Sequence, residues 1–274
     1  MGDNHIHTNV SHDGISTYME YIDKALTLCL KHLTFTEHWD SYKGVDSKIE
    51  TLDIDTYRKA FLEGTKDPKG LDIGYGIEIG LRPQVECVYE TKKIVYENDF
   101  DFIIGSMHIT CGKDMSMDPS FFDGLTKEEA ITKYLEQVLL SIRIYPNSFD
   151  VYGHIDYVVR YIIKNYGLDK SYKIIYKVFG DILDETLLEI INLDKGIELN
   201  TSGFRYGLGS PHPNIEILKR YKELGGKIIT LGSDAHKAED LASHFDIAKD
   251  ILLDVGFEEV AVYRKRKPSF YSIK

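Results

Sequence analysis

The sequence predicts an α/β fold: a closed barrel of seven βα units in a single domain spanning residues 1–274. Three observations carry this. Short strand-like runs alternate with amphipathic stretches along the whole chain, the pattern of a mostly parallel sheet with short connections. The 274 residues, 43% of them hydrophobic, suit one α/β barrel of about 250 residues with a sizeable core. No Gly-x-Gly-x-x-Gly follows the first strand, so a doubly wound dinucleotide fold loses support.

Taken in order, strand Gly2–Thr8 leads into an amphipathic stretch at Ile15–Lys31, and His32–Thr36 into one at Asp55–Thr65. Strand Ile73–Ile79 precedes the helical stretch Pro83–Tyr96, and Phe100–Ser106 precedes Lys127–Tyr145. The last of these opens on Thr126-Lys127-Glu128-Glu129, a capping box with Thr as N-cap and Glu at the third helical position. Asp150–Ile155 is followed by Lys170–Leu193, Gly196–Asn200 by Pro213–Leu224, and Lys227–Gly232 by Ala238–Val255. The segment Gly112–Gly124 is longer than a barrel connection needs and reads either as a lid that touches substrate or as a packed surface loop. The final residues, Val260–Lys274, alternate loosely around Arg264-Lys265-Arg266-Lys267-Pro268, which reads as a solvated edge or turn, with a phosphate-attracting patch as the alternative.

Composition narrows the chemistry. A formal net charge of −11 makes a poor partner for nucleic acid, which demands Lys/Arg patches. It leaves a phosphorylated small substrate open, because bound cations reverse a local field. The three cysteines, Cys29, Cys87 and Cys111, form no Cys-x-x-Cys pair. Their odd number argues against a disulfide framework, and all three are expected as small buried hydrophobes. No apolar run approaches the roughly 20 residues of a membrane helix, and no signal peptide is visible, so the expectation is a soluble cytoplasmic protein without a membrane partner.

The metal-capable residues are the informative ones. His5 and His7 are two apart on the first strand, so both imidazoles project from one face. His12 follows in a loop that can fold back over the same end. The others fall where predicted strands finish: Glu37-His38, Glu78, His108, His154-Ile155-Asp156, and Asp234-Ala235-His236. In a parallel barrel all those ends meet at the face that carries the chemistry. Glu78 lies in an apolar run, where an uncompensated carboxylate costs several kcal/mol, and so calls for a cation. Asp234 and His236 repeat the spacing of His5 and His7. Of the remaining histidines, His32 and His244 read as structural or surface groups on helical stretches, and His212, between two prolines, as a lesser candidate for substrate contact. Seven imidazoles plus Glu78 and Asp234 exceed the needs of one tetrahedral ion. Mixed imidazole and carboxylate donors suit zinc, iron or manganese, and several ions close together suit phosphoester hydrolysis.

These stretches resemble the PHP family, named for polymerase and histidinol phosphatase. The similarity runs through Asp3-Asn4-His5-Ile6-His7, Ser11-His12-Asp13-Gly14, Thr36-Glu37-His38, Gly76-Ile77-Glu78, Gly105-Ser106-Met107-His108, Gly153-His154-Ile155-Asp156 and Gly232-Ser233-Asp234-Ala235-His236. The resemblance implies a distorted TIM-like (β/α)7 barrel and three divalent metal ions. The first would be held by His5, His7, Glu78 and Asp234, the second by Glu78 as bridge with His108 and His154, and the third by His12, His38 and His236. Glu78, Asp234 and His236 would serve as catalytic groups, with the acid for the leaving group left open, and Asp3 would orient a ligand histidine. The stand-alone size, with Arg160 and Arg205 just beyond strand ends, resembles the histidinol-phosphate phosphatases of the family, in which such arginines hold the phosphate. That implies hydrolysis of L-histidinol phosphate by metal-activated water, in histidine biosynthesis. Tyr161, Phe121 and Phe122 are candidates for aromatic contact with the substrate or for core packing. The alternatives are a related phosphoesterase acting on nucleotides or other phosphorylated metabolites, and a metal-binding accessory module without catalysis.

Overall fold

The computed structural model describes residues 1–274. Seven strands run parallel and pair in chain order: β1 (Gly2–Ile6), β2 (His32–Phe35), β3 (Asp72–Gly80), β4 (Phe102–Ser106), β5 (Val151–Tyr152), β6 (Gly196–Asn200) and β7 (Ile229–Gly232). The ring closes only at its C-terminal rim. There the Asp234 amide donates to the His5 carbonyl and the His7 amide to the Ala235 carbonyl, both at 2.9 Å. That partial closure is the distortion: β7 and β1 meet beyond β7's last residue, which draws Asp234 and His236 against His5 and His7.

Strand β3 is the longest, and along the edge away from β4 it serves two partners. Its first half pairs with β2, and its second half with a two-residue strand, His38–Trp39, which sets His38 directly opposite Glu78. Inside the ring, β3 presents Gly74, Gly76, Glu78 and Gly80 on one face, so Glu78 is the one large side chain that the strand sends inward.

The helices cover the outside, and the seven expected ones are present with shifted ends. α1 (Tyr18–Thr27) starts later than its apolar pattern, because Thr17 and Glu20 form a capping box. The others are α2 (Ile54–Gly64), α3 (Val85–Glu97), α4 (Lys127–Ile144), α6 (Tyr176–Asn192), α8 (Ile215–Glu223) and α9 (Phe245–Val255). Thr126 and Glu129 make the expected capping box at α4. Two short helices were not anticipated: α5 (Val159–Tyr166) and α7 (Ser202–Arg205). They are the first helices after β5 and β6, and they carry Arg160 and Arg205.

The basic C-terminal run forms the turn of an antiparallel hairpin, β8 (Glu259–Arg264) with β9 (Lys267–Ser272). The hairpin closes the N-terminal end of the barrel: Ala261 and Tyr263 pack against Phe102, Ile104 and Val151 from the interior. Its arginines meet acids at strand starts, Arg264 with Asp72 and Arg266 with Asp150. The run is therefore a paired turn on the face opposite the histidines and not a phosphate patch near them.

Three expectations need correction. Cys29 and Cys111 are exposed and only Cys87 is buried, because the first two lie in turns at positive φ and not on packed faces. His32 heads β2 and is buried, its ring nitrogens bonded among Asp72, Asn4 and Thr34, and is not on a helix. His244 precedes α9 at φ +61°, outside the helix it was expected to join. No helix is long and apolar enough to cross a membrane.

Candidate metal centre

The strand ends converge. Glu78 is fully buried at the middle of the mouth, and its two oxygens face different sets of imidazoles. Oε1 lies 2.8 Å from His154 Nε2 and 3.2 Å from His108 Nε2. Oε2 lies 2.8 Å from His38 Nδ1, 3.3 Å from His5 Nε2 and 3.5 Å from His7 Nε2. Asp234 Oδ1 faces the same two nitrogens of β1, at 3.8 Å from His5 and 3.6 Å from His7. Four triads have donor atoms within 4.8 Å of one another: His5–His7–Asp234, His5–Glu78–His154, His38–Glu78–His108 and His7–His38–His236.

Eight of the nine expected ligands are members of these triads; His12 belongs to none, although it lines the cavity above them with its ring centroid 5.6 Å from that of His38. Its side chain stays 38% exposed on the turn after β1, with Nε2 3.9 Å from Asp13 Oδ2. Asp13 on the same turn, 44% exposed, lays its carboxylate on the rim of the cluster: its Oδ2 lies 3.1 Å from His236 Nε2 and 3.6 Å from His38 Nε2. His7 is the imidazole whose donor atom lies within 4.8 Å of those of both His38 and His236, with His12 on the outer side of His38.

A second layer of carboxylates, which the sequence reading did not single out, aims the imidazoles. His5 Nδ1 is 2.6 Å from Glu198 Oε1, and His108 Nδ1 is 3.1 Å from Asp40 Oδ2. Each bond places the proton on Nδ1 and turns the Nε2 lone pair toward Glu78. A Cβ at Gly232 would overlap the Glu198 carboxylate and crowd His5, so a glycine at the end of β7 is what lets Glu198 through. Asp3 does something other than orient a ring: it accepts from the amides of Ser233 and Ala242, both at 2.9 Å, and so pins the loop that carries Asp234. Glu37 likewise anchors the turn after β1, accepting from Thr8 and Ser11 hydroxyls at 2.6 Å.

Arg160 and Arg205 end in different places. Arg160 lines the cavity, stacked over Tyr206 and Tyr157, with Nε and Nη2 bonded to His212 and Ser202. Arg205 does not line it: its guanidinium donates to the backbone carbonyls of Ser233 and Asp234 and faces Asp240. The expectation that Arg205 reaches the phosphate therefore finds no support in this geometry. It clamps the turn in which Asp234 sits at φ +55°, a strained conformation for a non-glycine residue. Tyr161 lines the cavity, whereas Phe121 and Phe122 are buried in the core. The segment Gly112–Gly124 supplies Asp114 and Ser116 to the rim, so it is part of the cavity wall and also packed.

The electrostatics follow from burial against charge. Burial would raise the Glu78 carboxyl, but His5, His108 and His38 hold it well below the usual range. Asp234 is held down in the same way by His5, His236 and Arg160. Burial would lower His5, but Glu198, Glu78 and Asp234 raise it. His7 and His154 have no such surplus of acids, and burial keeps them neutral. His5 Nε2, both His7 nitrogens, His38 Nδ1, His154 Nδ1 and Glu78 Oε2 are buried without a hydrogen-bond partner. Each such orphan costs about 1–3 kcal/mol. Soft-to-borderline nitrogen donors with a shared carboxylate fit divalent transition metals, and cations among them remove this penalty at the atoms that face one another, His5 Nε2, His7 Nε2, His38 Nδ1 and Glu78 Oε2.

The cavity above the cluster measures about 350 Å³ and is lined by His12, Asp13, Asp40, Tyr42, Asp114, Arg160 and Lys164 among others. A parallel barrel with its imidazoles and carboxylates gathered at the C-terminal mouth beside a part-free arginine defines a metal-centred α/β barrel. Compared with known families, the sequence matches the PHP domain over residues 3–202. The chain belongs to the PHP family. It is 30% identical over 244 residues to a probable histidinol-phosphatase of Clostridium acetobutylicum, covering 89% of each chain. It is 29% identical over 271 residues to the histidinol-phosphatase of Lactococcus lactis, covering 97% of this chain and 95% of that one. The fold superposes on the crystal structure of the Lactococcus lactis histidinol phosphate phosphatase, complexed with zinc, L-histidinol and phosphate, with a TM-score of 0.83, 27% identity and 98% of each chain covered. A putative histidinol phosphatase from Listeria monocytogenes shares the fold, with a TM-score of 0.76.

Proposed function

We propose that the chain is a phosphoric monoester hydrolase that converts L-histidinol phosphate to L-histidinol and phosphate. The observation that carries this is one cavity holding both the ligand cluster and the open edge of Arg160, of a size for a small phosphorylated metabolite. The full-length similarity to histidinol-phosphatases supports the substrate. Three divalent ions, of zinc, iron or manganese, are the proposed complement: one at His5, His7 and Asp234 with Glu78, one at Glu78, His108 and His154, and one at His38 and His236 with His7, His12 or Asp13 nearby. Such ions supply Lewis acidity, lower the pKa of water and neutralise charge on phosphoryl oxygens.

The residues of the chain do the positioning. Glu78 spans two triads through its two oxygens. Asp234 is fixed from behind by Ser202 Oγ at 3.0 Å and Asn200 Nδ2 at 3.3 Å. Arg160 has Nε and Nη2 committed, which leaves Nη1 for a phosphate oxygen. The water oxygen bonds to phosphorus as the P–O bond to the histidinol oxygen breaks, one water proton ending on the histidinol oxygen and the other on the phosphate, and the negative charge that develops on the phosphoryl oxygens lies beside Arg160.

Four aspartates against Arg160 and Lys164 line the cavity and the net charge is −11, which disfavours a nucleic-acid substrate. A cytoplasmic location fits the unpaired cysteines. The test is phosphate release by metal-loaded protein from L-histidinol phosphate, a nucleoside monophosphate and p-nitrophenyl phosphate. Histidinol phosphate is expected to lead in kcat/KM by at least about 100-fold, or 2.7 kcal/mol of transition-state binding. A nucleotide preferred over it overturns the substrate, and no hydrolysis of any of the three overturns the enzyme.

A further inference from the structure

His212 lies 1% exposed on the loop after α7, away from the ligand triads. Its backbone is tied to the end of β6 by reciprocal bonds with Asn200, at 2.7 and 2.8 Å. Its ring bridges two charged groups. Nδ1 lies 2.5 Å from Asp156 Oδ1, and Nε2 lies 3.1 Å from Nε of Arg160. The Arg160 guanidinium has only N–H groups to offer, so His212 Nε2 must accept and the proton must sit on Nδ1, facing Asp156. Asp156 is itself buried, and its second oxygen accepts from the Asn214 amide at 3.0 Å. Arg160 is then held on three sides: by His212 at Nε, by Ser202 Oγ at Nη2, and by the rings of Tyr206 and Tyr157, whose centroids lie 4.0 and 4.9 Å from its central carbon.

A flexible arginine gains affinity for phosphate when its rotamers are already fixed, because less freedom is lost on binding. We infer that Asp156 and His212 form a buried carboxylate–imidazole relay that positions Arg160 for the phosphoryl group of the substrate. Neither residue touches substrate; both act through the arginine. The inference rests on Arg160 being a phosphate ligand, as in the proposed function. It places His212 one step behind the cavity rather than in contact with the substrate, and it gives the buried Asp156 a task other than ligation.

The test is a double-mutant cycle on the metal-loaded protein, with inorganic phosphate as competitive inhibitor and as calorimetric ligand. Arg160→Ala is expected to weaken phosphate binding by about 100-fold, and His212→Ala by about 10-fold, with KM rising more than kcat falls. His212→Gln can accept from Arg160 and donate to Asp156, and is expected to recover most of the loss. In the Arg160→Ala background, His212→Ala is expected to change phosphate binding less than about twofold. Asp156→Asn is the second entry to the relay should His212→Ala misfold, with the same pattern expected. Additive losses from Arg160→Ala and His212→Ala overturn the relay while leaving Arg160 as a ligand. Unchanged phosphate binding in Arg160→Ala overturns both the relay and the role given to Arg160. Loss of bound metal in His212→Gln with normal phosphate affinity also overturns the relay, since it would place the residue behind the metal centre.

Discussion

Glu198 Oε1 lies 2.6 Å from His5 Nδ1, and both side chains are buried. The carboxylate comes from the middle of β6 and crosses the barrel interior to reach a ring on β1. It fixes the tautomer of His5 and adds negative charge behind a cluster of imidazoles. Its other oxygen accepts from the His154 amide at 3.1 Å, so one side chain braces two members of the cluster.

Glu198→Gln is therefore expected to weaken metal binding by about 10–100-fold, the usual loss when a partner behind a ligand histidine is removed. The amide retains the size of the carboxylate but can present N–H to His5 and flip its tautomer. Titration of the purified variant with zinc against a chelating dye measures this directly. Affinity within twofold of the parent would show that Glu198 does not set the tautomer.

Removing divalent cations is expected to abolish hydrolysis and to lower the melting temperature. Cations that bind only the folded state stabilise it by RT ln(1 + [L]/Kd), about 2.7 kcal/mol at 100 times Kd. The orphaned nitrogens of His5, His7 and His38 predict that this linkage is strong. Calorimetry before and after chelation, and again after zinc, iron or manganese is restored, reads both the loss and the recovery. A melting temperature indifferent to metal would contradict the fit of the cluster to cations.

How much of this was legible depends on where each residue lies. Glu78, His108, His154 and Asp234 stand at the ends of apolar runs, and a βα alternation places all such ends on one rim. Their convergence could be read from spacing. Glu198 and Asp40 could not be, because a carboxylate inside a strand or just past a two-residue strand has no local signature of the ring it will reach. A usable signal existed for Glu198, since it is buried in an apolar strand as Glu78 is, and an inward carboxylate needs a partner. Arg205 was misplaced for a related reason. Its distance past a strand end permits it to reach the mouth, but α7 turns it toward the carbonyls of Ser233 and Asp234, which need a donor. The short α5 and α7 escaped notice because helices of eight and four residues carry too few turns to show periodicity.

His32 supplies a pH dependence at the opposite end of the barrel. Burial holds its pKa below the usual 6.5, with the Arg264 guanidinium adding to the effect against Asp72. Nδ1 lies 3.1 Å from Asp72 Oδ2 and 3.0 Å from Arg264 Nη2, so the ring sits between an acid that favours its charged form and a guanidinium that opposes it. In the unfolded chain His32 takes up a proton as pH falls through about 6.5, whereas in the folded chain it does so only at lower pH. Between those two values the unfolded state binds more protons, so stability drops as the solution becomes more acid and the loss is complete below the folded value. His32→Gln is expected to lose less stability than the parent between pH 7 and pH 5. Urea midpoints at the two pH values decide it, and equal losses in both proteins would remove His32 as the cause.

The hairpin that closes the barrel floor is expected to matter for stability and not for turnover. Tyr263 is buried, stacked on Phe102 with centroids 5.0 Å apart, and packed with Ile104 and Val151. Tyr263→Ala removes a large ring from a small satellite core with little room to relax, at a cost of about 3–5 kcal/mol. Tyr263→Phe retains the ring, and its hydroxyl makes no hydrogen bond in the structure, so a cost below about 1 kcal/mol is expected. Because the hairpin lies at the N-terminal ends of the strands, and the ligands at the C-terminal ends, kcat/KM of metal-loaded protein well below the unfolding transition should stay within twofold of the parent for both variants. Denaturant unfolding alongside steady-state kinetics separates the two effects: a large fall in activity with unchanged stability would mean that the floor communicates with the metal centre through β4 and β5.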